Sequence, residues 1–164
     1  MENCLKKNDP ILSKKNVQFK LIYRASKDGD SCSVFHSKCD KKANVLFIIQ
    51  TLKGLKFGGY TEQTWDGDDT SKEDNNLFAF SLEHLKKYNC IKGKKCMSPA
   101  KNRGPRFGGW IIWTGENFFT KRGETCDKSV ALQYFDGFSC DNELNNGEKY
   151  FNINEFEAFQ IIMS

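Results

Sequence analysis

The stretch from Val45 to Thr64 constrains this chain more than any other. Val45 to Leu52 reads VLFIIQTL, a nearly continuous apolar run that suits a central strand buried on both faces. Lys53-Gly54 supplies a tight turn, and Leu55 to Thr64 returns as a second strand, so a hairpin is expected. Gly58-Gly59 lies inside the returning strand. Paired glycines weaken a strand and mark a bulge, a sharp bend or a close backbone approach. At least one residue of the pair is expected at positive φ or at a bulge, with Phe57 buried beside it.

Other segments read the same way. Val17, Phe19, Leu21 and Tyr23 alternate with polar residues, the period of a half-buried strand. Leu77 to Leu82 (LFAFSL) is a short strand. Phe107-Gly108-Gly109 repeats the earlier motif and leads into WIIWT, with the same expectation for its glycines and for Phe107. Ala131 to Phe138 has strand character, and Tyr150 to Met163 closes the chain as one or two strands. A short helix is expected from Ser31, whose side chain can cap it, with Cys32, Phe35 and Cys39 on one face. The tally is α+β and strand-dominated: a two-sheet antiparallel β-sandwich with flanking short helices.

At 164 residues the chain has the length of one domain, read as residues 17–164 behind a polar lead-in, 1–16. Its 14 Phe residues are ample for a core. No apolar run reaches the roughly 20 residues of a membrane helix, so no membrane insertion is expected. The start, MENCLKKNDP, has no apolar signal core. A cytoplasmic, intracellular protein is the resulting expectation, and the 7 Cys are not read as a secreted disulfide framework.

The net charge of +4 hides an uneven distribution. From Lys86 to Arg106 there are eight basic residues and no acid; from Glu62 to Asp74 there are six acids against Lys72. The basic segment contains Gly and Pro and reads as a long, exposed connection. Lys92, Lys94, Lys95 and Arg103 are its candidate binding residues, for an acidic protein surface. Nucleic acid is disfavoured, because stacking aromatics stand only at the margins. The acidic run is read as a solvated loop. It lacks the Gly and Glu of a helix–loop–helix calcium site.

Catalytic chemistry has no sequence support. There is no C-x-x-C, no nucleophile elbow, no phosphate-binding loop, and neither His36 nor His84 stands in a recognisable set. No metal or cofactor is expected. Cys32 and Cys39 read as small buried hydrophobes. Cys90 and Cys96, among lysines that would favour thiolate, are candidates for redox sensing. In the closing strand, Glu157 sits between apolar neighbours. It is read either as a buried pin, with Arg24, Ser26 or Tyr23 as partners, or as a carboxylate at a binding edge.

Three stretches together resemble the TLDc domain family: FKLIYRASKDGDSCSVFHSKCD (Phe19 to Asp40), VLFIIQTLKGLKFGGYTEQTW with LFAFSL, and GPRFGG with the ending FNINEFEAFQI. DPILSKKNVQ (Asp9 to Gln18) stands where that family has a longer helical segment. The resemblance implies a two-sheet sandwich, a role in oxidative-stress resistance, and binding to the vacuolar proton-pumping ATPase, with no agreed catalytic mechanism. Two alternatives accompany it: a scaffold docking its basic loop on an acidic, for example cytoskeletal, surface, and a direct thiol-based antioxidant.

Overall fold

The computed structural model describes residues 16–66, 70–108 and 111–163. Fifteen regular segments follow one another among the described residues. β1 (Val17–Arg24) leads into α1 (Ala25–Asp28) and α2 (Cys32–Cys39). The hairpin of β2 (Val45–Thr51) and β3 (Lys56–Thr61) follows, then β4 (Phe78–Ser81), β5 (Lys86–Asn89), β6 (Met97–Ser98), β7 (Arg106–Phe107), β8 (Ile112–Trp113) and β9 (Gly123–Glu124). α3 (Lys128–Ala131) and a 3-10 turn (Glu143–Asn145) precede β10 (Tyr150–Phe151) and the long β11 (Ile153–Met163). The strands form two antiparallel sheets: β1-β11-β2-β3-β4-β5, and β10-β9-β8-β7-β6.

The apolar run forms a central strand. Val45, Phe47 and Ile49 face the core between the sheets, while Leu46 and Ile48 join Tyr60, Phe78, Phe80 and Ile161 in a second cluster on the opposite face. Gly54 closes the hairpin at φ 85°. The core itself is aromatic. Tyr23, Phe35, Phe118 and Phe156 meet edge-on or stacked at centroid separations of 4.8–6.3 Å. Ser31 accepts a hydrogen bond from the Val34 amide and caps α2, which turns Cys32, Phe35 and Cys39 into the core.

The glycine pair differs from its expectation. Gly58 and Gly59 are not at positive φ, and β2 pairs with β3 without a register shift. Their purpose is close approach. A Cβ on Gly58 would lie 1.9 Å from the Phe47 carbonyl oxygen, and one on Gly59 would lie 2.0 Å from the Phe107 ring. The two Phe-Gly-Gly motifs therefore meet across the sandwich: the glycine of the first makes room for the phenylalanine of the second. Phe57 and Phe107 are fully buried. Gly108 has no positive φ, and Gly109 lies outside the described residues.

Three other segments differ from the sequence reading. Residues 131–138 form the end of α3 and a turn rather than a strand, with Phe135 bridged to Cys90. The basic segment opens as the edge strand β5, whose polar face kept it from reading as one, and contains β6. Asp74, read as part of a solvated loop, is buried. It accepts hydrogen bonds from the Thr61 hydroxyl at 2.6 Å and from the Glu62 amide at 2.8 Å, and so anchors the acidic run to the end of β3.

Candidate interaction surfaces

The structure distributes the predicted binding residues over three places. Glu157 is on β11, opposite Arg24 in the β1 register, on the face of the first sheet that points away from the second. The Arg24 guanidinium donates to Glu157 Oε1 from Nε at 2.7 Å and from a terminal nitrogen at 2.5 Å. With side-chain exposures of 19% for Glu157 and 43% for Arg24, the pair is a partly shielded cross-strand clasp.

Lys92, Lys94 and Lys95 are exposed on the turn that crosses from β5, the edge of the first sheet, to β6, the edge of the second. Cys90 and Cys96 are joined as a disulfide at the base of this turn, with Cα atoms 6.6 Å apart. The thiols read as redox-sensing candidates are thus a bonded pair, which geometry alone reveals. Gly93 takes φ 83° at the tip, and the Lys94 amide donates to the Ile91 carbonyl. Among the described residues none of the three ammonium groups has an ion-pair partner.

Arg103 lies elsewhere. Its carbonyl accepts a hydrogen bond from Nε2 of the buried His36 at 2.8 Å, and His36 Nδ1 is held by Asp40 at 2.8 Å, so the loop before β7 is pinned to α2. The Arg103 side chain lines a cleft of about 450 Å³ with Trp113, Lys121, Arg122, Glu124 and Tyr150. None of the lysines of the turn lines it. Lys86 and Lys87 are spent on structure: Lys86 donates to Glu143 at 2.6 Å, and Lys87 lies 4.2 Å from the Phe78 ring centre.

With the paired Phe-Gly-Gly contacts, the sandwich and these surfaces in place, the comparisons with known proteins decide the family. The TLDc domain family model matches residues 1–162. The chain belongs to the TLDc family. A relative from Danio rerio, the MTOR-associated protein MEAK7, is 18% identical over 114 residues. The match covers 63% of this chain and 25% of the relative, so the chain spans about a quarter of that protein's length.

Three thiols of this TLDc domain, Cys32, Cys39 and Cys126, are poorly disposed to act as nucleophiles. Burial pushes Cys39 well above the ordinary thiol range, burial and Glu116 raise Cys32, and burial with Asp127 pushes Cys126 up to about 12. Cys140 is exposed. Among the described residues no cluster of three His, Cys, Asp or Glu side chains could hold a metal ion, and no helix is long and apolar enough to cross a membrane. His84 is spent on the Glu143 carbonyl.

Sequence reasoning missed Trp113, Lys121, Arg122 and Tyr150. They are brought together by two-residue strands and their flanks, too short to leave a periodic signal. The one usable trace is the density of cations and aromatics between Trp113 and Arg122.

Proposed function

We propose that this TLDc domain is a non-catalytic docking module that binds an acidic protein surface in the cytoplasm, on the vacuolar proton-pumping ATPase, and through that contact contributes to oxidative-stress resistance. Family membership supports the reading as an interaction module, and the MEAK7 relative is named for an association with another protein, MTOR. The observation that carries it is the lysine turn: three exposed ammonium groups with no ion-pair partner among the described residues, on a segment held by a disulfide at its base. A short, tethered, cationic turn loses little freedom on docking and steers acidic partners from a distance.

The test is capture of proton-pump subunits from cell extract on the immobilised domain, with quantification by mass spectrometry. Wild type should retain them, retention should fall as salt rises, and Lys92→Glu/Lys94→Glu/Lys95→Glu should abolish it. Absence of pump subunits at low salt would refute the partner. Capture of cytoskeletal proteins in their place would favour the scaffold alternative.

A further inference from the structure

The outer face of the second sheet is organised as a row. Across the registers of that sheet, Ser98 pairs with Arg106, Arg106 with Trp113, Trp113 with Glu124, and Glu124 with Tyr150. Residues in register project from the same face of a pleated sheet. The alternate row (Met97, Phe107, Ile112, Gly123 and Phe151) is buried in the core, so the first row is the outer one. We propose that this outer face is a binding cleft for an acidic segment of a partner protein, with its carboxylates on Arg103, Lys121 and Arg122 and an apolar side chain laid against Trp113. The inference rests on the domain being an interaction module, but not on the identity of its partner.

The charges of the cleft are unbalanced. Glu124 faces Lys149 at 4.0 Å, whereas Arg103, Lys121 and Arg122 have no ion-pair partner among the described residues. Arg103 is also close enough to Arg106 to add to burial in lowering the latter's affinity for its proton. The lining of the cleft carries three cations, Arg103, Lys121 and Arg122, against two carboxylates, Glu116 and Glu124.

The cations are also held in place. The Arg103 backbone is fixed by the His36–Asp40 pair. Arg122 lies 4.5 Å from the centre of the Tyr150 ring, which orients its guanidinium. Lys121 runs against Gly115, where a Cβ would come within 2.8 Å of the lysine stem. Half-buried Trp113 forms an apolar wall in the same cleft. Its volume exceeds what a single inorganic anion fills and falls within the usual range for small-ligand and side-chain pockets. The Arg122 guanidinium, held against the Tyr150 ring beside the Trp113 wall, suits a planar, bidentate carboxylate flanking an apolar residue.

A peptide fits better than a nucleic acid. A phosphodiester chain carries a charge at every step and needs a continuous cationic track with open aromatic faces. Here Glu116 and Glu124 interrupt the track, and Arg122 and Lys149 both lie against the Tyr150 ring. A peptide can set carboxylates at the cations and uncharged residues opposite the two glutamates.

The test is fluorescence anisotropy of the whole domain with three labelled probes: a short peptide of Asp and Glu around a central Phe, its Asn and Gln counterpart, and an oligo-dT strand. Lys121→Glu and Arg122→Glu alter exposed side chains, and a thermal melt confirms that each variant is folded. The acidic peptide should bind, with at least about tenfold weaker binding for each cleft variant, for the neutral peptide and for oligo-dT. The control variant Lys20→Glu, which alters an exposed cation on β1 outside the cleft, should stay within about twofold of wild type. Trp113→Ala should weaken the Phe-centred peptide and leave a Gly-centred version unchanged. The proposal is overturned if the acidic peptide does not bind, if folded cleft variants bind it as wild type does, if oligo-dT binds as tightly, or if the control Lys20→Glu loses binding as the cleft variants do. Failure of pump capture alone would leave all these results standing, so the two readings fail separately.

Discussion

A methyl group on Gly58 would strike backbone, whereas one on Gly59 would strike the Phe107 ring. Neither obstacle can swing away: one is a strand, the other a fully buried ring. Gly58→Ala and Gly59→Ala should each cost about 3 kcal/mol or more in chemical denaturation, through overpacking rather than backbone strain. Alanine variants as stable as wild type would contradict the close approach. Glu157 makes a gentler prediction. Its clasp with Arg24 is partly shielded, so Glu157→Ala should cost about 1 kcal/mol, and a double-mutant cycle with Arg24→Ala should show coupling. Glu143 supplies the pH dependence. Burial raises its carboxyl, but hydrogen bonds from Lys86 and from the Ser139 and Cys140 amides outweigh that and hold it below the ordinary 4.5. A carboxyl lowered in the folded state stabilises fully above the unfolded value, and its contribution disappears as pH falls through the folded one. Denaturation midpoints should therefore fall with acid below about pH 4.5, less steeply in Glu143→Gln.

The turn between β5 and β6 makes its prediction as an element. The Cys90–Cys96 disulfide spans a sequence separation of six, and closing so short a loop removes about 2 kcal/mol of unfolded-chain entropy. Reduction, or Cys90→Ser with Cys96→Ser, should lower stability by about that amount. A melting temperature indifferent to reductant would show that the bond contributes nothing. The long elements were legible in the sequence because their periodicity is strong: the β2–β3 hairpin, α2 and β11 stand where alternation or helical spacing puts them. β1 is a strand as expected, but a bulge between Leu21 and Tyr23 breaks its single apolar face, sending Tyr23 into the core between the sheets and leaving Val17 and Phe19 in the opposite cluster. The second sheet was not legible. Strands of two residues such as β6 to β10 carry no period, and their pairing is set by contacts such as Phe107 on Gly59 and Phe151 on Gly123. For the same reason the cations were legible as a charge run, while the separation of Arg103 from Lys92, Lys94 and Lys95 was not.

For the molecule as a whole, two sheets share one aromatic core and leave their polar surfaces unequal. The core accounts for the paired Phe-Gly-Gly motifs of this TLDc domain. The surface, with exposed lysines on the turn joining the sheet edges and an arginine-lined cleft on the outer face of the second, accounts for the proposed docking role. The docking role is tested by titrating the purified domain into the purified soluble sector of the vacuolar proton pump and following binding by interferometry at low and physiological salt. Saturable binding is expected that weakens as salt rises and is lost in Lys92→Glu/Lys94→Glu/Lys95→Glu. Binding that ignores both salt and the triple substitution, or no binding at low salt, would contradict it.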